Sequence, residues 1–146
     1  MRGAAGLASS SGKMPSSDTN VLAYQFDNSQ PAKQRKAREF FLELSPVAVI
    51  STQVMIELHA VLTRKLGISK HDAEGILASL DVETVRTDRQ LVLNAARTST
   101  KHQISMWDAL ILEAAVTAGC TELLTEDLAN GSTLRGVTIV NPFLVG

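Results

Sequence analysis

Short apolar segments alternating with helical stretches predict an α/β layer fold built on a largely parallel sheet. Two further observations support that class. Val47-Ala48-Val49-Ile50 is a continuous, β-branched apolar run, the pattern of a strand covered on both faces. The stretch from Met106 to Ala118 is nearly all apolar, as expected for a helix enclosed by the rest of the domain.

The elements follow in chain order. A first strand is expected within Lys13-Met14-Pro15-Ser16-Ser17, although a proline and two serines are poor strand material, and Asp18 would end it. A helix runs from about Pro31, suited to a first turn, to Leu44, before the Ser45-Pro46 stop. After the strand at 47–50, Ser51 and Thr52 offer caps for a helix to about Leu66, with Gly67 placed as a C-terminal cap. Ser69 opens a helix through Leu80, Val82-Glu83-Thr84-Val85 alternates like a strand, and Asp88 caps a helix toward Thr98. Ser105-Met106-Trp107-Asp108 has the form of a capping box ahead of the apolar helix, which Gly119 ends. Glu122–Thr125 and Val137–Val140 are two more strands, the last stopped by Asn141-Pro142. Residues 1–13, rich in Gly, Ala and Ser, read as a disordered tail, and 14–146 as one domain.

Composition narrows the function. The chain has 146 residues, 45% apolar and 20% charged, ordinary for a soluble globular domain. A formal net charge of -1 excludes a global basic field, so any nucleic-acid contact must come from local patches. The single cysteine, Cys120, excludes an internal disulfide and a thiol zinc site, and fits a reducing cytoplasm. No stretch approaches the roughly 20 apolar residues of a membrane span.

In a parallel α/β sheet, ligands bind beyond the carboxyl ends of the strands. Four acids are expected there: Asp18 after the first strand, Glu57 in the second turn of the helix after the strand at 47–50, Asp127 just after the strand ending at Thr125, and Asp108 in the first turn of the apolar helix. Glu57 borders the stripe Val54, Met55, Leu58, Val61 and Leu62, so it can face a cleft. Carboxylates converging in a partly buried cleft raise one another's pKa and call for a cation. An all-oxygen set favours Mg2+ or Mn2+, which suits phosphodiester hydrolysis. Each acid taken singly also reads as a turn, cap or solvated helix residue.

Asp18-Thr19-Asn20-Val21-Leu22-Ala23-Tyr24 resembles the opening motif of PIN domains, especially the VapC-type toxins of bacterial toxin–antitoxin pairs. Three blocks resemble the family in order: Ser51–Leu58, Ile104–Ile111 and Leu124–Leu128; the closing Gly136–Phe143 is similar too. The resemblance covers essentially residues 14–146. It implies a PIN-like three-layer α/β/α fold with a central, mainly parallel sheet. It implies Asp18, Glu57, Asp108 and Asp127 as the catalytic acids and ligands of Mg2+ or Mn2+, with Thr19, Asn20 and Thr125 in support. It further implies cleavage of single-stranded RNA, a cognate antitoxin and a homodimer, in the cytoplasm and away from membranes. The sequence departs from the family before the first acid, where Pro15-Ser16-Ser17 replaces the usual apolar strand. Two other functions stay open: a non-catalytic PIN-fold binding module, and a metal phosphoesterase acting on DNA or small phosphate esters.

Other residues read more simply. Lys33, Arg35, Lys36 and Arg38 form a basic cluster, as a solvated helix face or a phosphate contact. Arg64 and Lys65 sit where cations favour a helix C-terminus. Trp107 is expected in core or interface packing rather than stacked on a base, and Cys120 as a small buried apolar residue. His59, His71 and His102 show no zinc-ligand spacing.

Overall fold

The computed structural model describes residues 16–44 and 49–144. The expected tail at 1–13, the start of the first strand and the Ser45-Pro46 stop lie outside the described residues. Among the described residues, six strands form one sheet in the order β3-β2-β1-β4-β6-β5. They are β1 (Ser16–Ser17), β2 (Val49–Ser51), β3 (Glu83–Val85), β4 (Glu122–Leu124), β5 (Thr133–Leu134) and β6 (Val137–Val140). Every pairing is parallel except β5 with β6. Helices complete the three-layer α/β/α arrangement expected from the sequence: α1 (Thr19–Ala23), α2 (Pro31–Leu44), α3 (Thr52–Ala60), α4 (Lys70–Ser79), α5 (Arg89–His102) and α6 (Met106–Thr117).

The order has a direct consequence. The chain builds β1, β2 and β3 to one side, then returns to add β4 and β6 on the other. β1 and β4 therefore flank the point where the winding reverses, and the crevice beyond their carboxyl ends is the natural ligand position of such a sheet.

β1 forms in spite of its serines because it is central. Ser16 pairs with Val49 on one side and Leu123 on the other, and Ser17 with Leu124. Two ladders satisfy the backbone, and the buried Ser17 hydroxyl donates to the Asp18 carbonyl at 3.0 Å. Tertiary pairing here overrides propensity. The core lies on both sides of β2 and β4, with Val49, Ile50, Leu123, Leu124 and Ile139 buried against Leu22, Val54, Leu58, Leu62 and Leu112. The apolar α6 is enclosed as expected, with Ala109 through Ala115 buried. Cys120 is buried too.

Beyond other shifts of one residue at element ends and the short, unexpected helix α1, the structure departs from the sequence reading in these details. Helix α5 continues to His102 instead of ending near Thr98, and stops where Gln103 adopts a left-handed conformation (φ 54°). Helix α3 passes into a π-helical turn at Val61–Lys65, closed by Leu66 N–H donating to the Val61 carbonyl at 3.0 Å. β4 ends at Leu124, one residue early. The unforeseen β5 joins β6 through a two-residue hairpin turn, Arg135-Gly136, with both residues at positive φ. Such turns favour Asn-Gly or Asp-Gly, and an arginine at the first position hid the hairpin in the sequence.

Candidate active site

Asp18 follows β1 directly and serves as the N-cap of α1. Its Oδ1 accepts from Val21 N–H at 3.0 Å. Its own N–H donates to the Leu124 carbonyl at 3.1 Å, which ties it to the end of β4. The remaining carboxylate oxygen accepts from the Thr125 hydroxyl. Thr125 Oγ1 accepts in turn from Asp127 N–H at 3.0 Å. One threonine thus links the ends of β1 and β4 and fixes the turn that carries Asp127.

Glu57 is placed by α3. Ser51 caps that helix, its Oγ accepting from Val54 N–H at 3.1 Å. Val54, Leu58 and Leu62 are fully buried, and Glu57, beside that stripe, is half-buried. Thr19 Oγ1 donates to Glu57 Oε1 at 2.7 Å, and Gln53 Nε2 donates to Oε2 at 3.2 Å. Asp108 stands in the first turn of α6. Half of the expected capping box forms: Ser105 Oγ accepts from Asp108 N–H at 3.0 Å.

These elements meet in one cleft of about 390 Å3. Asp18, Thr19, Asn20, Glu57, Asp108 and Asp127 all line it, so the four acids named from sequence share one space. Thr125 lies behind the cleft and is buried. Gln53 escaped the sequence reading. It is buried and one turn before Glu57, and its Oε1 has no hydrogen-bond partner. An i,i+4 Gln–Glu pair on one helix face was the available signal. Trp107 was expected in core or interface packing. It lies in the first turn of α6, is 61% exposed and lines the cleft, so the core half of that reading is corrected.

The electrostatics match the geometry. Burial pushes the Asp18 carboxyl up to about 6. Hydrogen bonds from Thr125 and Val21 oppose this, and the charges of Asp127 and Glu126 add to it. Asp127 is raised as well, first by its partial desolvation, then by Asp108 and Glu126. Among the described residues, no cation takes part in the hydrogen bonds of Asp18.

The basic cluster on α2 divides. Lys33 Nζ reaches Glu126 Oε2 at 2.7 Å and the Tyr24 hydroxyl at 3.2 Å, with Tyr24 donating to Glu126 Oε1 at 2.8 Å. This cation therefore braces the loop beside Asp127. Arg38 Nε donates to the Gln25 carbonyl at 2.8 Å, and Arg35 is exposed.

The donor set offered to an ion is all oxygen, anionic and partly desolvated, which fits a hard divalent cation. Among the described residues no three acidic, His or Cys side chains stand close enough to hold an ion by themselves.

A doubly wound sheet with an acidic cleft at its switch point defines the class of protein. The PIN-domain profile matches residues 17–129, and the chain belongs to the PIN-domain family. No curated protein matches it in sequence. Among solved structures, it is similar to a toxin–antitoxin complex from Klebsiella pneumoniae: TM-score 0.68, 18% identity, 88% of this chain and 98% of that one. It is similar also to VapC20 of Mycobacterium tuberculosis, a sarcin–ricin loop cleaving toxin: TM-score 0.65, 22% identity, 77% of this chain and 91% of that one. DNA-bound VapBC of Salmonella typhimurium overlays with TM-score 0.64 at 18% identity, over 87% of this chain and 96% of that one. No helix among the described residues is long and apolar enough to cross a membrane.

Proposed function

We propose that the chain is a Mg2+- or Mn2+-dependent endoribonuclease of the VapC toxin type, cutting single-stranded RNA. The observation that carries this reading is the meeting of Asp18, Glu57, Asp108 and Asp127 in one cleft at the switch point of the sheet. These four acids are the catalytic and metal-holding groups. A divalent ion held there supplies an activated water and neutralises charge on the phosphate.

The chain's own residues prepare the site. Thr125 orients Asp18 and the Asp127 turn together, and Thr19 and Gln53 hold the two oxygens of Glu57. Hydrogen bonds behind ligands of this kind keep carboxylates aimed without consuming their last lone pairs. Asn20 is exposed at the cleft and offers an amide donor to a phosphate oxygen.

The likeness to toxin–antitoxin complexes favours a cognate antitoxin as partner. The family resemblance adds a homodimer acting in the cytoplasm. The test is cleavage of a mixed RNA by the purified protein with Mg2+ or Mn2+ against EDTA, with Asp108→Asn in parallel. Metal-dependent cutting lost in the variant is expected. Equal cutting by Asp108→Asn rejects the acid assignment, preference for DNA rejects the RNA reading, and silence under every metal favours a non-catalytic PIN module.

A further inference from the structure

The cleft lining has two chemistries. Beside its carboxylates lie Ala60 and Val61 from the end of α3, and Trp107 and Ile111 from α6. Trp107 immediately precedes Asp108, and both belong to the first turn of α6, which Ser105 caps. An apolar platform and an acid are thus held by one rigid turn. An indole usually gains most by burial, yet this one stays 61% exposed on the rim. A nucleotide is likewise divided, into a charged phosphate and a flat neutral base. The volume of about 390 Å3 lies at the small end of ligand pockets, room for roughly one nucleotide.

We propose that Trp107 is the base-stacking platform of this cleft, holding one unpaired nucleobase while the adjoining phosphate lies toward the cation that the acids would hold. The proposal rests on the nuclease reading above and adds a selecting element to it. A base within a duplex already has both faces stacked and cannot lie on the indole, whereas an unpaired base can. The carboxylates beside the indole disfavour a second anion and tolerate the neutral base. Stacking is indifferent to base identity to first order, so Trp107 selects for strand accessibility more than for sequence.

The chain has a single tryptophan, so its emission reports this contact directly. The probe is a short phosphorothioate oligoadenylate, alone and annealed to its complement, with binding measured separately by filter retention. Emission should be quenched in proportion to bound single strand and unchanged by the duplex. Trp107→Ala should raise KM for RNA by about 10–100-fold with kcat little changed, and Trp107→Phe should recover most of the loss. Bound RNA that leaves the emission unchanged, or Trp107→Ala with the parent KM, overturns the proposal. Emission that responds only to a protein partner assigns the indole to a protein interface and overturns it as well. RNA cut while Trp107 stays silent sinks this inference alone; no binding and no cutting sinks the nuclease reading with it.

Discussion

Two buried acids, Asp18 at the end of β1 and Glu113 in the middle of α6, meet opposite fates. Glu113 accepts from Thr98 at 2.7 Å and from two nitrogens of Arg135 at 2.9 and 3.1 Å. Burial works to raise its pKa, but Arg135, Thr98 and the charge of His102 outweigh that and hold it below the usual carboxylate range. Among the described residues, Asp18 receives only a hydroxyl and a backbone amide; it faces negative neighbours and is pushed up to about 6. The fold therefore completes a buried carboxylate where the acid is structural. At Asp18 it stops short, leaving charge that a cation would balance. A buried acid without a cationic partner is the feature that marks a site; burial alone is not.

The sharpest way to break this contrast is to neutralise each acid's environment. Asp18→Asn should lower metal-dependent cleavage by more than about 100-fold, beyond what loss of a supporting hydrogen bond costs. Thermal denaturation in EDTA at neutral pH should show no loss of stability, since an uncompensated buried charge has been removed. A variant that unfolds instead would make Asp18 as structural as Glu113. Arg135→Met is the reciprocal case. It leaves Glu113 buried without its cation and should cost about 2–3 kcal/mol, below the full range for buried pairs because the Arg135 side chain is 43% exposed. The Tm should fall by roughly 5–10 °C, with cleavage per folded molecule unchanged. Loss of cleavage at unchanged Tm would place Arg135 in the site after all.

Much of this was legible beforehand. Asp18, Asp108 and Asp127 could be named because each sits at a strand end or helix start, Glu57 because it borders an apolar helix stripe, and all four because they fall in motifs that resemble the PIN family. Helices α2, α4 and α6 begin where Pro31, Ser69 and Ser105 say they should. What stayed hidden depended on contacts distant in the chain. Glu113 sits within an apolar helix, and only the fold brings Arg135 to it, from a hairpin that lacks the usual turn residues. Trp107, at the start of an apolar helix, has the composition of a core residue, yet it is exposed at the cleft. Gln53 gains its role from Glu57 and Thr19, an arrangement that needs α1 against α3.

A smaller effect is expected at Thr125. It donates to Asp18 and accepts from Asp127 N–H, so Thr125→Val removes both links and keeps the shape. Cleavage should fall by about 10–100-fold, with the metal concentration for half-maximal rate raised. Thr125→Ser should restore most of the rate. A valine variant with normal metal dependence would show that the acids are aimed by packing alone.

The gentlest probe is pH. Asp18 is raised in the fold from 3.8 to about 6, so its protonated form is favoured by folding. Its contribution to metal-free stability is fully present below its ordinary value and is lost as pH rises through about 6. Moving from pH 7 to 5 in EDTA should therefore stabilise the protein by about 1–1.5 kcal/mol from this group. Glu113 has the opposite sign, since its depressed pKa gives stability that is lost only as pH falls below its ordinary range, so it does not cancel the change in this window. Mg2+ needs the Asp18 carboxylate, so its affinity should fall about 10-fold per unit below pH 6 and level off above 7. Titrations of Tm against Mg2+ at pH 5 and 7.5 would measure both. Equal Mg2+ stabilisation at the two values would mean that Asp18 is not the group the ion meets.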